Sequence, residues 1–324
     1  MSMIDLRIGR YRLHMKHSHP SVDGSPSISA WRGAFGHALK SLLCVLPRSE
    51  CKTCFLLHSC LYPAIFEPAP DPGKKIMVRY SRIPTPYCLS VGQSLKEKQE
   101  ETLLLTLIGA VNAHLPFFLM AFDRAGSQGV GQGRGRFSLE AVWEEGALGE
   151  ENFLLIYTKG NEKPMIERQR IAPKPTVAPC DGTTLIEFLS PLRVRFGEDL
   201  VTPERFTFGI FFRNLLRRLS LLMAFYGKCP LNLDYKAFVE KADSVSLQGS
   251  HLTWKEWTRF SSRQKSSMKM GGLIGSVSID SRELGPFWEY LWWGQWTCTG
   301  KGTTMGMGEY RLQGQTRNTL EGER

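Results

Sequence analysis

The stretch 286–312, PFWEYLWWGQWTCTGKGTTMGMGEYRL, decides the fold because an echo of it occurs earlier in the chain. Residues 116–139, PFFLMAFDRAGSQGVGQGRGRFSL, show the same order of a Pro-Phe pair, a helical pattern, a glycine-rich loop and a strand pattern. The two copies start 170 residues apart, which is a typical domain length. The repeat therefore predicts two similar domains in tandem.

Both halves also open with a strand pattern that is followed by a helical pattern. Residues 6–13 alternate apolar and polar side chains, and residues 28–43 have helical apolar spacing behind a capping Ser27. In the second half, a strand pattern at 185–196 precedes a helix predicted from Pro203 to Tyr226. Strand-helix-strand units with antiparallel pairing are typical of the ferredoxin-like fold. We predict an α+β protein with two tandem ferredoxin-like (RRM-like) domains.

The segment 146–180 is rich in prolines and charges and predicts a connector that contains one strand at 153–158. The N-terminal domain would then span 1–145, with a small cysteine-rich insertion at 44–60. The C-terminal domain would span 181–324 and carry the glycine-rich loop.

Composition favours an anionic partner. The 324 residues include 41 Lys and Arg against 31 Asp and Glu, a net charge of +10, and such an excess indicates nucleic acid first. No apolar run approaches the roughly 20 residues of a membrane span, and the N-terminus has no signal-peptide core. With eight cysteines and no export signal, we expect reduced thiols or metal ligands in a cytoplasmic protein.

Four cysteines, Cys44, Cys51, Cys54 and Cys60, lie within 17 positions. A Cys-x2-Cys pair with two further cysteines nearby can surround a tetrahedral ion, so the pattern predicts a structural zinc site. An iron–sulfur cluster is a chemical alternative, and His58 could replace one thiol. The remaining alternative is a loop of four reduced cysteines that never meet.

Four regions are candidate RNA-binding surfaces, because they carry cations on a predicted helix or combine cations with aromatic or glycine residues. The stretch 252–270, LTWKEWTRFSSRQKSSMKM, could instead be a hairpin with a solvated basic face, and the glycine loop could be a tight connection. The candidate residues are Arg32 on the first helix, Arg217 and Arg218 on the long helix, Lys255, Arg259, Arg263, Lys265 and Lys269 in the basic stretch, and Gly300, Lys301, Gly302, Gly306 and Gly308 in the loop.

His37 is the histidine that stands out as a candidate catalytic group. It shares the first helix with Lys40 and Ser41 at the i+3 and i+4 positions, where side chains are neighbours. An imidazole beside a cation can exchange protons near neutral pH. The alternative is a polar helix face that only meets water.

Several ordered pieces together carry a family resemblance. The sequence resembles the CRISPR-associated endoribonucleases of the RAMP superfamily that process precursor CRISPR RNA (pre-crRNA), in the subgroup with a cysteine cluster. The matching pieces are 31–39 (WRGAFGHAL), 60–63 (CLYP), 65–67 (IFE), 190–193 (SPLR), 217–219 (RRL), 254–264 (WKEWTRFSSRQ), 271–275 (GGLIG) and the terminal glycine loop.

The resemblance implies a protein that binds the repeat of a precursor CRISPR RNA and cuts it once to give mature crRNA. It implies a cut without a catalytic metal, in which the 2′-hydroxyl attacks the adjacent phosphate and leaves a 2′,3′-cyclic phosphate and a 5′-hydroxyl. His37 would be the general acid or base, Lys40 would stabilise the phosphorane, and Tyr11 would orient the 2′-hydroxyl. His17 and His19 are reserve candidates.

Two other functions stay open at this point. The chain could be a non-catalytic RAMP subunit that holds guide RNA in a CRISPR effector complex. A zinc-containing DNA-binding regulator is disfavoured, because the sequence has no helix-turn-helix or zinc-finger spacing.

Overall fold

The computed structural model describes residues 4–18, 26–70, 83–92, 100–131, 133–146, 148–149, 152–161, 175–261 and 266–315. Within these ranges, two antiparallel sheets each combine with helices around a separate hydrophobic core. No helix in the described ranges is long and apolar enough to cross a membrane.

The first domain has the strand order of a ferredoxin-like fold with one added edge strand. Its sheet runs β2-β3-β1-β4-β5 with antiparallel neighbours. The elements are β1 (Ile8–His17), α1 (Ile28–Leu43), α2 (Leu61–Phe66), β2 (Tyr87–Val91), β3 (Glu100–Ile108), α3 (Leu115–Gln128), β4 (Phe137–Glu145) and β5 (Phe153–Thr158).

The second domain repeats this plan with the order β11-β6-β10-β9. Its elements are β6 (Thr183–Leu192), the short pair β7 (Arg195–Phe196) and β8 (Asp199–Leu200), α4 (Phe208–Tyr226), α5 (Tyr235–Asp243), β9 (Leu247–Ser261), β10 (Ser266–Asp280), α6 (Trp288–Thr297) and β11 (Tyr310–Gln315). The internal echo falls at the same place in both domains, where the second crossover helix meets the last strand of the repeat. The prediction of two tandem ferredoxin-like domains is confirmed.

The predicted start of the long helix differs from the structure. The long helix does not begin at Pro203, because Pro203–Arg205 forms a separate 3-10 turn. The helix α4 begins at Phe208, where the Thr207 hydroxyl accepts a hydrogen bond from the Ile210 amide at 3.2 Å. The strand predicted at 153–158 is present as β5 and pairs with β4. The domain boundaries at 145 and 180 stay predictions.

The start of the chain ties the two domains together. Ile4, Leu6 and Ile8 pack into the core of the second domain, although β1 belongs to the first sheet. The Ile4 amide donates to Glu289 Oε1 at 2.9 Å, and the Tyr226 hydroxyl of α4 donates to the Pro84 carbonyl at 2.6 Å. Apolar burial and hydrogen bonds thus join the two sheets.

Glu101 places a carboxyl group inside the first core. The residue is 3% exposed, and its Oε2 accepts a hydrogen bond from Trp31 Nε1 at 3.0 Å. Its Oε1 has no hydrogen-bond partner in the described part of the chain. Burial raises the pKa of Glu101 to about 7, so the neutral acid is the favoured form below that pH.

This carboxyl group predicts a loss of stability as the pH rises. Between the usual glutamate range and pH 7, the folded chain holds a proton that the unfolded chain has released, so the free energy of unfolding falls through that window. We expect this site to lower stability by about 2–3 kcal/mol from pH 5 to pH 8. Urea unfolding at both pH values checks this. In Glu101→Gln, the free energy of unfolding should differ less between the two pH values than in the wild-type chain. The exposed control Glu198→Gln should keep the wild-type difference. A wild-type difference in Glu101→Gln would contradict the assignment.

Candidate functional site

The glycine-rich loop between α6 and β11 has a backbone that side chains would not allow. Four of its glycines, Gly300, Gly302, Gly306 and Gly308, have φ angles between 75° and 84°. At Gly308, a Cβ atom would overlap the Thr299 carbonyl oxygen. The Thr299 amide donates to the Gly308 carbonyl at 2.9 Å and closes the loop on itself.

Several backbone amides of the loop donate hydrogen bonds to carbonyl groups of the protein. The Lys301 amide donates to the Arg193 carbonyl at 2.8 Å, and the Gly308 amide donates to the Pro191 carbonyl at 3.1 Å. The amides of Met305 and Met307 donate to the Gly302 carbonyl. Since these donors are occupied, they cannot form the phosphate cradle that glycine-rich loops often provide. Any anion binding at this loop must depend largely on side chains around it.

Those side chains form a cationic cluster, which we define as Arg193, Arg195, Arg217 and Lys301. Burial lowers the pKa of Lys301, and the neighbouring Arg195, Arg193 and Arg217 lower it further. Arg193 is held in place because its NH1 group donates to the Gly271 carbonyl at 2.9 Å. Glu198 offsets part of this positive charge, because its Oε2 lies 3.4 Å from Arg195 NH1, and the remaining positive charge would attract a phosphate group.

Arg193 and Arg195 were missed by the sequence analysis. A signal existed, since Arg193 directly follows β6 and Arg195 begins β7 two residues later, and β6 pairs with β11 at the end of the glycine loop in a ferredoxin-like sheet.

The helix α1 of the first domain packs against this loop. Arg32 Nε donates to Thr304 Oγ1 at 2.9 Å. The Arg32 guanidinium also lies over the Phe66 ring, 4.3 Å from its centroid. The backbone of Gly306 lies so close to Ile28 that a Cβ atom would sit 3.2 Å from that side chain. The contacts bring the glycine loop and the first half of α1 together.

His37 is exposed on α1, five residues beyond Arg32 and hence about 7.5 Å further along the helix axis. Lys40 is half-buried, with Nζ 6.0 Å from the centroid of the Tyr62 ring. Gly33, one turn before His37, has no atom within 4 Å of the position a Cβ would take. The structure therefore places His37 and Lys40 on one helix with open space next to them.

Tyr11 does not join them. It is fully buried, and its hydroxyl donates to Asn112 Oδ1 at 3.4 Å. Among the reserve histidines, His17 is 6% exposed, and the centroid of its ring lies 3.8 Å from that of the Phe137 ring. Burial lowers the pKa of His17. His19 lies outside the described residues.

Arg218 is buried between the domains and does not lie on an RNA-accessible surface. Its Nε donates to the Thr297 carbonyl at 2.7 Å, and its NH2 contacts Cys88 Sγ of the first domain at 3.4 Å. Helical periodicity explains this placement, because residue 218 is three positions after the buried Leu215 and four before the buried Leu222. Its neighbour Arg217 is exposed.

The basic stretch lies in the paired strands β9 and β10. The sequence had left open whether this stretch is a hairpin with a solvated basic face or a surface that binds RNA. Lys255 and Lys269 are exposed on it. Arg259 lies in β9, and Arg263 and Lys265 fall outside the described residues.

The four cysteines of the insertion line one common pocket, together with apolar side chains. In the part of the chain that the structure describes, no group of three or more His, Cys, Asp or Glu residues is arranged to hold a metal ion. Burial is the main cause of the raised pKa of Cys51. The raised pKa favours the neutral thiol of this residue. The donor set suits zinc, whereas the spacing of the thiols in the structure does not.

Comparisons with known proteins match both halves of the chain. The AF_1859_N family, described as an N-terminal domain, matches residues 6–174. The family described as CRISPR-associated endoribonuclease Cas6 matches residues 186–310. No curated protein matches the chain in sequence.

Two solved structures show a similar fold. The structure "Cas6 (TTHB231) product complex" has a TM-score of 0.56 and 16% identity, over 94% of this chain and 100% of that chain. The structure "Partial Cas6-RT-Cas1--Cas2 complex" has a TM-score of 0.52 and 10% identity, over 98% of this chain and 47% of that chain. At such identities the likeness concerns the fold.

Proposed function

We propose that the chain is a CRISPR-associated Cas6 endoribonuclease, the family whose model matches residues 186–310, and that it cleaves CRISPR repeat RNA in precursor transcripts to give mature crRNA. The solved structures of similar fold include a Cas6 product complex and a complex of Cas6 with reverse transcriptase, Cas1 and Cas2. Repeat RNA is therefore the proposed partner. Membership of a CRISPR effector complex stays a prediction.

One observation carries the proposal: the packing of the glycine loop against α1. It brings a cationic cluster of the second domain to the helix of the first domain that bears an exposed imidazole. A cationic cluster can bind the RNA backbone, and the imidazole on the helix that the loop contacts can transfer protons at the scissile phosphate of the bound RNA. The second domain supplies the cationic cluster, and the first domain supplies the imidazole of His37.

In the proposed reaction, the 2′-hydroxyl of the nucleotide before the cut attacks its own 3′-phosphate. The new bond joins the 2′-oxygen to phosphorus, and the bond from phosphorus to the 5′-oxygen of the next nucleotide breaks. His37 either takes the proton from the 2′-hydroxyl or gives one to the leaving 5′-oxygen, and Lys40 stabilises the charge on the phosphorane. Because Tyr11 is buried, we assign it no part in this chemistry.

His37→Ala should slow single-turnover cleavage of a repeat RNA by about 10²–10⁴-fold, because it removes the proton-transfer group. Affinity for the RNA should stay within a few-fold, since the cationic cluster is untouched. Cleavage rates and the Kd for RNA are measured in EDTA. His114→Ala, which removes a histidine outside α1, is the control variant. Full activity of His37→Ala would place the chemistry elsewhere.

The chemistry of the products provides a second readout of the same experiment. We expect a 2′,3′-cyclic phosphate and a 5′-hydroxyl, and no cut where the scissile ribose is a deoxyribose. Cleavage of the deoxy-substituted RNA at that link would contradict attack by the 2′-hydroxyl. Tight binding by the wild-type chain without any cleavage would instead identify a non-catalytic RAMP subunit.

We further propose that the insertion 44–60 binds one structural zinc ion through Cys44, Cys51, Cys54 and Cys60. The support is the cysteine spacing and the single pocket that all four line. Binding requires the thiols to move closer together than they lie in the structure and to lose their protons. Four protein ligands leave no open position, so the ion would stabilise the insertion and take no part in cleavage.

The purified chain should therefore contain about one zinc ion, as elemental analysis would measure. Cys54→Ser should lower the zinc content and the melting temperature, because it removes one of four ligands. The exposed Cys229→Ser is the matched control and should change neither. A metal-free chain whose four insertion thiols all react freely with a thiol reagent would contradict the zinc site.

A further inference from the structure

Arg32 connects the helix that carries His37 to the glycine-rich loop of the other domain. Its Nε donates to Thr304 Oγ1 at 2.9 Å, and Thr304 is 8% exposed. The bond thus lies in the interface between the domains, where it is partly buried. A hydrogen bond from a charged donor is among the stronger ones, and shielding strengthens it further.

The guanidinium is engaged on other sides as well. One face lies over the Phe66 ring of α2, 4.3 Å from its centroid. Arg32 also lies near Tyr87 of β2, whose pKa burial raises to about 12 while the guanidinium limits the rise. Phe66 is itself packed tightly against α1, since a Cβ atom on Gly36 would overlap its ring. These contacts give Arg32 one fixed orientation within the protein and leave little of it for RNA.

The position of Arg32 along α1 gives this bond a consequence for cleavage. His37 lies about 7.5 Å further along the same helix and about 140° around its axis, so any coupling between the two side chains passes through the position of α1. Thr304 lies three residues after Lys301 of the cationic cluster. Loss of the bond between Arg32 and Thr304 would release one contact between α1 and the loop, and a resulting shift of α1 would move the imidazole relative to a phosphate that the cluster holds.

We propose that Arg32 is a positioning residue, which aligns His37 with the scissile phosphate through its hydrogen bond to Thr304 and does not itself contact the RNA. The inference rests on the proposed function. A misplacement of about 1 Å between reacting groups can slow a reaction about 10²-fold, while substrate affinity hardly changes. The expected signature is hence a loss of rate without a loss of binding.

The experiment removes the acceptor and keeps the shape. Thr304→Val deletes the hydroxyl that accepts from Arg32, and Thr304→Ser retains it. We expect Thr304→Val to lower the single-turnover cleavage rate about 10–100-fold with Kd for uncleavable repeat RNA within about threefold of wild type. Thr304→Ser should restore most of the rate. Arg32→Lys, which keeps the charge and loses the Nε donor, should resemble Thr304→Val, and the double variant should be no slower than the slower single variant.

Three outcomes would overturn the inference. Arg32→Lys with a Kd weakened as much as its rate would make Arg32 a direct RNA contact. An unchanged rate in Thr304→Val would show that the bond does not position His37. Losses in the double variant that multiply would show that the two residues act separately.

The failure of the proposed function is distinguishable, because it would appear as an absence of cleavage by the wild-type chain. Thermal unfolding of each variant identifies any that fails to fold, and Arg32→Lys and Thr304→Val test the same bond from its two ends.

Discussion

The contact between the glycine-rich loop and α1 is the constraint on which the site depends. The loop belongs to the second domain, and α1 belongs to the first, so neither domain alone holds both the cationic cluster and His37. The positive φ angles at Gly300, Gly302, Gly306 and Gly308 allow the backbone to turn tightly enough for this contact. A Cβ atom at Gly306 would crowd Ile28 of α1, and a Cβ atom at Gly308 would overlap the Thr299 carbonyl oxygen of the loop itself.

This arrangement changes the meaning of the glycine-rich motif. Glycine-rich loops often bind phosphate through backbone amides, yet several amides of this loop donate to carbonyl groups of the protein. The loop is better understood as a docking element, which presents Lys301 on one side and receives Arg32 on the other. Charge for binding the RNA backbone then comes from arginine and lysine side chains at the end of β6 and on α4.

Much of the fold could be predicted because it repeats in the sequence. The echo at 116–139 and 286–312 marks the same crossover in both domains, and Ser27 caps α1 as its sequence position suggests. The placement of Tyr11 was also predictable in principle, because it alternates with the buried Leu13 and Met15 on the inner face of β1. The pairing of Arg32 with Thr304 was not, since the two lie 272 positions apart and meet through domain packing.

Amide hydrogen exchange, with and without a repeat RNA that carries a deoxyribose at the cut site, tests most directly whether one RNA site spans both domains. If the domains bind the RNA jointly, exchange should slow both in α1, including the turn that carries His37, and in the loop 299–308, with the same dependence on RNA concentration. Slower exchange in the second domain alone, with α1 unaffected at saturating RNA, would contradict a shared site and separate His37 from the reaction.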